Sequence, residues 1–193
     1  MAWGPDVVRI LAVDVSLRRS GFALLEDEQV IGVWACPIAN AHDRPLELHG
    51  LWAFSAAIIG ALPLPDFVAI ETSAQWQREG HDRTATIVAL SEARVAVICA
   101  AFHVGISPSK LRQMDAHEVR YLIAGNRFAS KEQLQRCLQL RGYTLPEREQ
   151  RMKSGGHYVT LAAVDSDKCD AVALALACLA KERLLAMAER RER

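Results

Sequence analysis

Acidic residues stand at three points of this sequence where a charge would otherwise be unfavourable. Asp14 ends one apolar run and Glu71 ends another. A third acidic cluster opens the apolar C-terminal segment and contains Asp165, Asp167 and Asp170. Because an unpaired buried carboxylate is costly, such residues normally pair with a cation or bind a metal. Carboxylate oxygens suit hard divalent cations, so the pattern predicts a carboxylate cage for such ions.

The elements around these acids decide which of them can meet. In open α/β sheets, sites form beyond the ends of strands near topological switches, where Asp14 and Glu71 would lie if their strands are neighbours. Asp167 and Asp170 are three residues apart, and this spacing places both on one face of a helix. Asp165 falls outside that spacing, which favours a helix N-cap or a solvated acid.

The sequence predicts an α/β protein with one central sheet. Strands are predicted where apolar and β-branched residues cluster, with the first three forming an antiparallel meander: 7–13, 21–25, 30–35, 67–70 and 104–107. Helices are predicted from apolar periodicity and capping residues: 46–62, 84–102, 115–124, 130–141 and 167–188. The punctuated segment 142–160 has no clear periodicity and is predicted to be a long loop. With 193 residues, the chain fits one compact domain over 1–193, with a core of about 7–185.

Charge is distributed unevenly along a chain whose net charge is zero. Residues 1–100 carry a net charge of −5 and residues 101–193 carry +5. This asymmetry fits an acidic metal centre beside a basic surface for a polyanion, although solvated charged helices give the same count.

The remaining composition indicates a protein of a reducing compartment. Five widely spaced cysteines without a C-x-x-C pair argue against a disulfide framework and a zinc cluster. Pro63 and Pro65 interrupt the longest apolar stretch, and the N-terminus lacks the basic start of a signal peptide. We therefore expect a cytoplasmic protein with no membrane partner.

Four motifs, taken in order, resemble those of the RuvC-type Holliday junction resolvases (crossover junction endodeoxyribonucleases) of the RNase H-like superfamily. They are the first strand with its acid and following glycine, the second acidic strand, a basic helix-loop-helix segment, and a closing Asp-x-x-Asp-Ala-x-Ala helix: 10–23, 68–71, 118–135 and 167–175. Val15-Ser16 stands where the family usually has Pro-Gly. The resemblance covers roughly residues 7–182 and implies an RNase H-like fold. In that fold, a five-stranded mixed sheet of three antiparallel and two parallel strands is flanked by helices.

The resemblance also implies a chemistry. Asp14, Glu71, Asp167 and Asp170 would hold two Mg²⁺ ions, with Mn²⁺ able to substitute, and hydrolyse DNA phosphodiesters to 5′-phosphate and 3′-hydroxyl ends. The enzyme would resolve four-way junctions during DNA recombination and repair. A homodimer is expected, since a junction has two symmetric strands to cut and the helix at 84–102 is apolar on more than one face.

Basic and aromatic residues are assigned to DNA by the same resemblance. Arg120 and Lys131 occupy positions of basic residues important in the family and would contact phosphate near the scissile bond. Weaker candidates for tracking the backbone are Lys110, Arg112, Arg127, Arg136, Arg151 and Lys153. Trp76 lies in a polar setting, where it could stack on bases or pack in the core. His81 and His157 are given no role.

Three other functions remain open. The altered first turn and the long loop also fit a broader branched-DNA endonuclease that acts on forks or flaps. An actin-like nucleotide-binding protein begins with a similar strand and acid, but 193 residues leave no room for its duplicated domain. A catalytically silent DNA-binding scaffold would not need to retain all the acids.

Overall fold

A five-stranded mixed sheet forms the centre of the protein. The computed structural model describes residues 7–37, 44–61, 63–72, 84–154 and 157–191, with the backbone alone described over 149–162. The strands are β1 (Arg9–Asp14), β2 (Arg19–Glu26), β3 (Gln29–Pro37), β4 (Phe67–Thr72) and β5 (Leu111–Asp115). Their order is β3-β2-β1-β4-β5, with antiparallel β1–β2 and β2–β3 pairs and parallel β1–β4 and β4–β5 pairs. This confirms the predicted sheet of three antiparallel and two parallel strands.

Helices cover both faces of this sheet. They are α1 (Arg44–Ala61), α2 (Thr84–His103), α3 (Ala116–Ala124), α4 (Lys131–Leu140) and α5 (Ser166–Arg191). Successive residues of a strand face opposite sides. Leu11 and Val13 accordingly pack with α1 and α2, whereas Ile10 and Ala12 pack with the other three helices. A strand buried on both faces explains why β1 reads as a continuous apolar run.

Helix α2 is long and apolar enough to cross a membrane, judged by length and composition alone. The expectation that the sequence contains no such stretch was therefore wrong. A single helix of this kind is weak evidence for a membrane span, since the core helices of soluble proteins share its length and composition. Here Ala93, Val97 and Ala101 are fully buried against the sheet.

The fifth strand lies further along the chain than predicted. Residues 104–107 instead form the turn that follows α2, where Ile106 N–H donates to Ala101 O at 3.0 Å and Gly105 has a φ of 92°. The apolar residues there fill the core beneath this turn. The true strand, β5, is more polar because it lies at the edge of the sheet.

The prediction of a long loop over 142–160 was also wrong. This segment contains most of an antiparallel hairpin formed by β6 (Glu147–Ser154) and β7 (His157–Val164). The charged sequence of β6 hides the strand, because it has no apolar alternation from which a strand could be predicted. The Gly-Gly sequence at 155–156, which we interpreted as loop punctuation, is also a sequence favoured in two-residue hairpin turns.

Candidate active site

Two strand ends and one helix start converge on a single pocket. The β1–β4 register pairs Val13 with Ile70, so the next residues, Asp14 and Glu71, leave adjacent strands at the same end. The first turns of α5 bring Asp170 to the same place. The pocket has a volume of about 90 Å³ and is lined by Asp14, Glu71, Ala116, Val119, Arg120, Lys131, Leu134 and Asp170. The structure thus brings together three of the four acids predicted from the sequence.

A glycine allows α5 to approach the sheet this closely. Gly21 on β2 pairs directly with Asp14 on β1. A Cβ atom at position 21 would stand 2.1 Å from the carbonyl oxygen of Asp167 and 2.6 Å from its carbonyl carbon. Because both neighbours are backbone atoms, no side-chain movement could relieve the contact. The absent side chain is therefore a condition for the position of the acidic helix.

A buried ion pair fixes the start of α5. Arg19 donates from Nη1 and Nη2 to the two carboxylate oxygens of Asp165, each at 2.7 Å. Asp165 is fully buried, and its Oδ1 also accepts from the backbone N–H of Lys168 at 3.4 Å. Burial is the largest influence on the pKa of Asp165 and raises it, but the hydrogen bonds from Arg19 and Lys168 N–H and the charges of these two residues together leave the pKa below its ordinary value. The hydrogen bond from Lys168 N–H to Asp165 fits the prediction of a helix N-cap, whereas the alternative prediction of a solvated acid was wrong.

Asp167 differs from the other three predicted acids in its surroundings. Its Oδ2 lies 3.4 Å from Nη1 of Arg19 and 4.0 Å from Nη1 of Arg148. Asp167 is not one of the described residues that line the pocket. Two arginines therefore supply its counter-charge.

Crowding of carboxylates gives the pocket its electrostatic character. The pKa of Asp14 is well above its ordinary value because of burial and then the nearby charges of Glu71 and Asp170. Burial and the charge of Asp170 raise the pKa of Glu71 to about 7, and burial raises that of Asp170 as well. Such shifts indicate a site whose negative charge is incompletely balanced by the protein.

Cationic side chains of the protein supply part of the balance. The Lys131 ammonium donates to Asp170 and, at 3.2 Å, to Ser166 Oγ. Burial lowers the pKa of Lys131, but the charge and hydrogen bond of Asp170, together with the charges of Asp14 and Asp167, outweigh this and leave it raised. Arg120 also lines the pocket, and its charge lowers the pKa values of Glu71 and Asp170.

The donor set of the pocket fits a hard divalent cation. Asp14, Glu71 and Asp170 offer carboxylate oxygens, and their mutual repulsion would be relieved by an added positive charge. In the described part of the chain, no group of three or more His, Cys, Asp and Glu side chains is already arranged as a metal-binding cluster. The contact between Lys131 and Asp170 shows a protein cation in direct contact with one of the acids.

Arg94 belongs to this site but was missed from the sequence. Its Nε donates to the backbone oxygen of Glu71 at 2.9 Å, and burial lowers its pKa. Its charge also acts on Asp14 and Glu71. A signal was present, because Arg94 is the single Lys or Arg within the apolar sequence of α2. Arg19 gave no comparable signal, since its buried partner lies 146 residues away.

The predicted DNA-binding residues occupy different places. Arg120 and Lys131 line the pocket. Arg127 lies between α3 and α4, with its guanidinium 5.4 Å from the ring centre of Phe128. Trp76 and His81 lie outside the described residues, as does the side chain of His157.

Lys110 and Arg112 lie at the opposite end of β5 from the pocket. Lys110 precedes β5, and Arg112 is near its start, whereas Asp115 ends the strand beside Thr72 at the pocket side. The Nε of Arg112 donates to Glu182 at 2.5 Å, and its guanidinium lies 4.4 Å from the Phe67 ring centre. The structure therefore does not bring these two residues to the acids.

Comparisons with known proteins identify the fold. No family model matches the sequence, and no curated protein matches it. A structure of Thermus thermophilus RuvC in complex with a Holliday junction substrate matches with a TM-score of 0.71 at 16% sequence identity. A second T. thermophilus RuvC structure matches with a TM-score of 0.69 at 17% identity. Each match covers 92% of this chain and 96% of the other. The chain therefore has the fold of RuvC, and the RNase H-like fold implied by the sequence motifs is confirmed.

Proposed function

We propose that this chain, with its RuvC fold, is a divalent-metal-dependent endonuclease that resolves four-way DNA junctions. The observation that carries the proposal is the convergence of Asp14, Glu71 and Asp170 with Lys131 and Arg120 on one pocket. Carboxylates that repel one another beside basic side chains suit a site that takes up a divalent cation and a phosphate. We expect an enzyme of this kind to act in the cytoplasm, in DNA recombination and repair.

The metal ligands would come from the converging acids. Asp14, Glu71 and Asp170 would hold Mg²⁺, with Mn²⁺ able to substitute, and the sequence motifs favour two ions with Asp167 as the fourth ligand. Bound divalent ions would polarise the scissile phosphate and activate water for hydrolysis, which leaves 5′-phosphate and 3′-hydroxyl ends.

The protein's own side chains would orient the phosphate. Arg120 and Lys131 lie at the pocket wall, where their donors can contact non-bridging phosphate oxygens. Arg94 and Arg19 are placed differently, because they bind Glu71 and Asp165 and thereby hold the elements that carry the acids. Arg120 and Lys131 therefore have the substrate-binding role, whereas Arg94 and Arg19 have a positioning role.

Cleavage of synthetic DNA tests this function. The wild-type chain in Mg²⁺ should cut four-way junctions, and Asp14→Asn and Glu71→Gln should each lose about 100-fold or more in rate. Both variants should retain junction binding, since each removes a negative charge rather than a phosphate contact. Glu189→Gln is the matched control, because it removes an exposed carboxyl near the end of α5.

The same assay separates the alternatives. Full activity of Asp14→Asn would overturn the proposed mechanism. Equal cutting of forks, flaps and junctions would favour the broader branched-DNA endonuclease. Linear duplex cut as efficiently as junctions would exclude both branched-DNA activities.

A further inference from the structure

The β6–β7 hairpin forms a separate two-stranded ribbon. Its register runs from Glu147 opposite Val164 to Ser154 opposite His157, with eight residues in each strand. At about 3.4 Å per residue, such a ribbon is roughly 27 Å long. Within the described part of the chain, the two strands pack mainly against each other. Isolated two-stranded hairpins are marginally stable in water, so this ribbon is suited to a partner that would stabilise it.

The base of the ribbon is attached directly to the acidic site. The backbone N–H of Asp165 donates to Pro146 O at 2.8 Å, which joins the two ends of the ribbon. Arg148, the second residue of β6, places Nη1 4.0 Å from Asp167 Oδ2. Residue 166 then begins α5, which carries Asp170. A molecule bound at the pocket would therefore lie beside the base of the ribbon.

The outer part of the ribbon has the composition of a polyanion-binding element. Residues 150–161 include Arg151 and Lys153 and no Asp or Glu. The register pairs Arg151 with Thr160 and Lys153 with Tyr158. Because positions two apart on a strand belong to one face, these four register positions share a face of the ribbon. Over the outer part of the ribbon, that face combines two cationic residues with two hydroxyl residues, which are donors suited to phosphate oxygens, whereas Glu149 and Glu147 continue the same face towards the base.

We infer that the β6–β7 ribbon is a DNA-binding arm that enters the major groove of the duplex beside the cleaved phosphate. The major groove is about 12 Å wide and admits a two-stranded ribbon. Charge complementarity and attachment beside the acids favour DNA over a protein partner for this surface. The inference rests on the proposed function, because it assumes that DNA is the substrate of the neighbouring pocket.

Binding measurements on the complete chain test the arm. We would combine Arg151→Ala with Lys153→Ala and measure junction and linear-duplex binding by fluorescence anisotropy at 50–200 mM KCl in EDTA. The loss of two phosphate contacts should lower the salt slope of the binding constant by about 1.8 and weaken binding by about 10-fold. The matched control combines Arg190→Ala with Arg191→Ala, which removes the same charge at the far end of α5. Circular dichroism would establish that each variant is folded.

Protection of guanine N7 from dimethyl sulfate shows whether the protein occupies the major groove, where N7 lies. Wild type should protect guanines in one duplex arm, and the ribbon variant should lose this protection while the control keeps it. If wild type binds DNA and the ribbon variant binds equally well, or if wild type gives no N7 protection, the ribbon is not a DNA-binding arm. Neither result would contradict the proposed nuclease function. A wild-type chain that binds no DNA would overturn the proposed function as well.

Discussion

Glu71 lies where carboxylates crowd one another, and its protonation should affect the stability of the metal-free protein. Burial and then the charge of Asp170 raise its pKa to about 7, whereas a Glu in an unfolded chain titrates near 4.3. Between these values the folded protein holds the proton more tightly than the unfolded chain does. The stabilisation is therefore fully present below about pH 4 and is lost as pH rises through about 7.

The loss of stability with rising pH can be measured by urea unfolding of the metal-free protein. In EDTA, the free energy of unfolding by urea should fall by up to about 3 kcal/mol between pH 5 and 8. Mg²⁺ should reverse the loss at pH 8, because it stabilises the ionised acids. Glu71→Gln should make the pH profile shallower, with a residual slope from Asp14 and Asp170, whose pKa values are also raised, whereas Glu189→Gln should follow wild type. A Glu71→Gln profile as steep as that of wild type would contradict this account of the site.

The acids could be found from the sequence, but their surroundings could not. Asp14 and Glu71 each end a strongly apolar strand, so local patterning marks them. The Arg19–Asp165 pair depends on two elements that meet only in the folded chain. Burial of Asp165, which decides between a solvated acid and a helix N-cap, likewise follows from packing rather than from neighbours in sequence.

At the scale of elements, the Arg19–Asp165 pair holds the start of α5 on β2. Arg19→Met would leave a fully buried carboxylate without its main partner, which should cost about 3–5 kcal/mol. The double variant Arg19→Met with Asp165→Leu should recover much of this loss. Urea unfolding of the single and double variants at pH 7 measures the coupling.

The Arg9–Glu26 pair is the matched control for this cycle. Its side chains are 35% and 33% exposed, so Arg9→Met should cost no more than about 1 kcal/mol. Equal losses in Arg19→Met and Arg9→Met would show that the buried pair does not anchor the helix.

The close approach of β2 and α5 gives a second prediction for the elements. Gly21→Ala places a Cβ against the carbonyl of Asp167, so the start of α5 must move. Overpacking of this kind should cost roughly 1–3 kcal/mol, and junction cleavage should fall in the protein that remains folded. Gly50→Ala is the control, since a Cβ there has no neighbour within 4 Å and a helical Ala is favourable. Normal cleavage by Gly21→Ala would show that the site tolerates displacement of α5.

Apolar patterning in the sequence predicted elements correctly where burial alternates regularly along the chain. It failed where burial depends on the position of a strand in the sheet. The antiparallel meander and the helix predicted at 130–141 are local features, and both were confirmed, with Ser130 and Gln133 forming a capping box at the start of that helix. The edge strand β5 is partly polar, whereas the apolar residues 104 and 106 fill a turn. The ribbon was missed because β6 and β7 form a sheet of their own, and the charged sequence of β6 has no apolar pattern to detect.

For the whole molecule, an apolar groove between α1 and α2 makes the proposed homodimer testable. The groove has a volume of about 530 Å³ and is lined by Leu48, Ile87, Val88, Ser91, Glu92, Val95 and Ala96. Val88 is 50% exposed and Val95 is 56% exposed. A two-fold contact along α2 would bury these side chains and bring two acidic pockets into one assembly.

We expect wild type to sediment as a dimer, and Val88→Glu with Val95→Glu to sediment as a monomer, because two charges would enter an apolar interface. Paired cutting within one junction should then give way to single nicks, since each monomer carries one acidic pocket. Leu184→Glu is the control, as it adds a charge at a 54% exposed apolar residue on α5. Analytical ultracentrifugation measures the assembly, and a junction in a supercoiled plasmid separates nicked from linear products. A wild-type monomer would contradict the dimer, and a dimeric double variant would place its interface away from this groove.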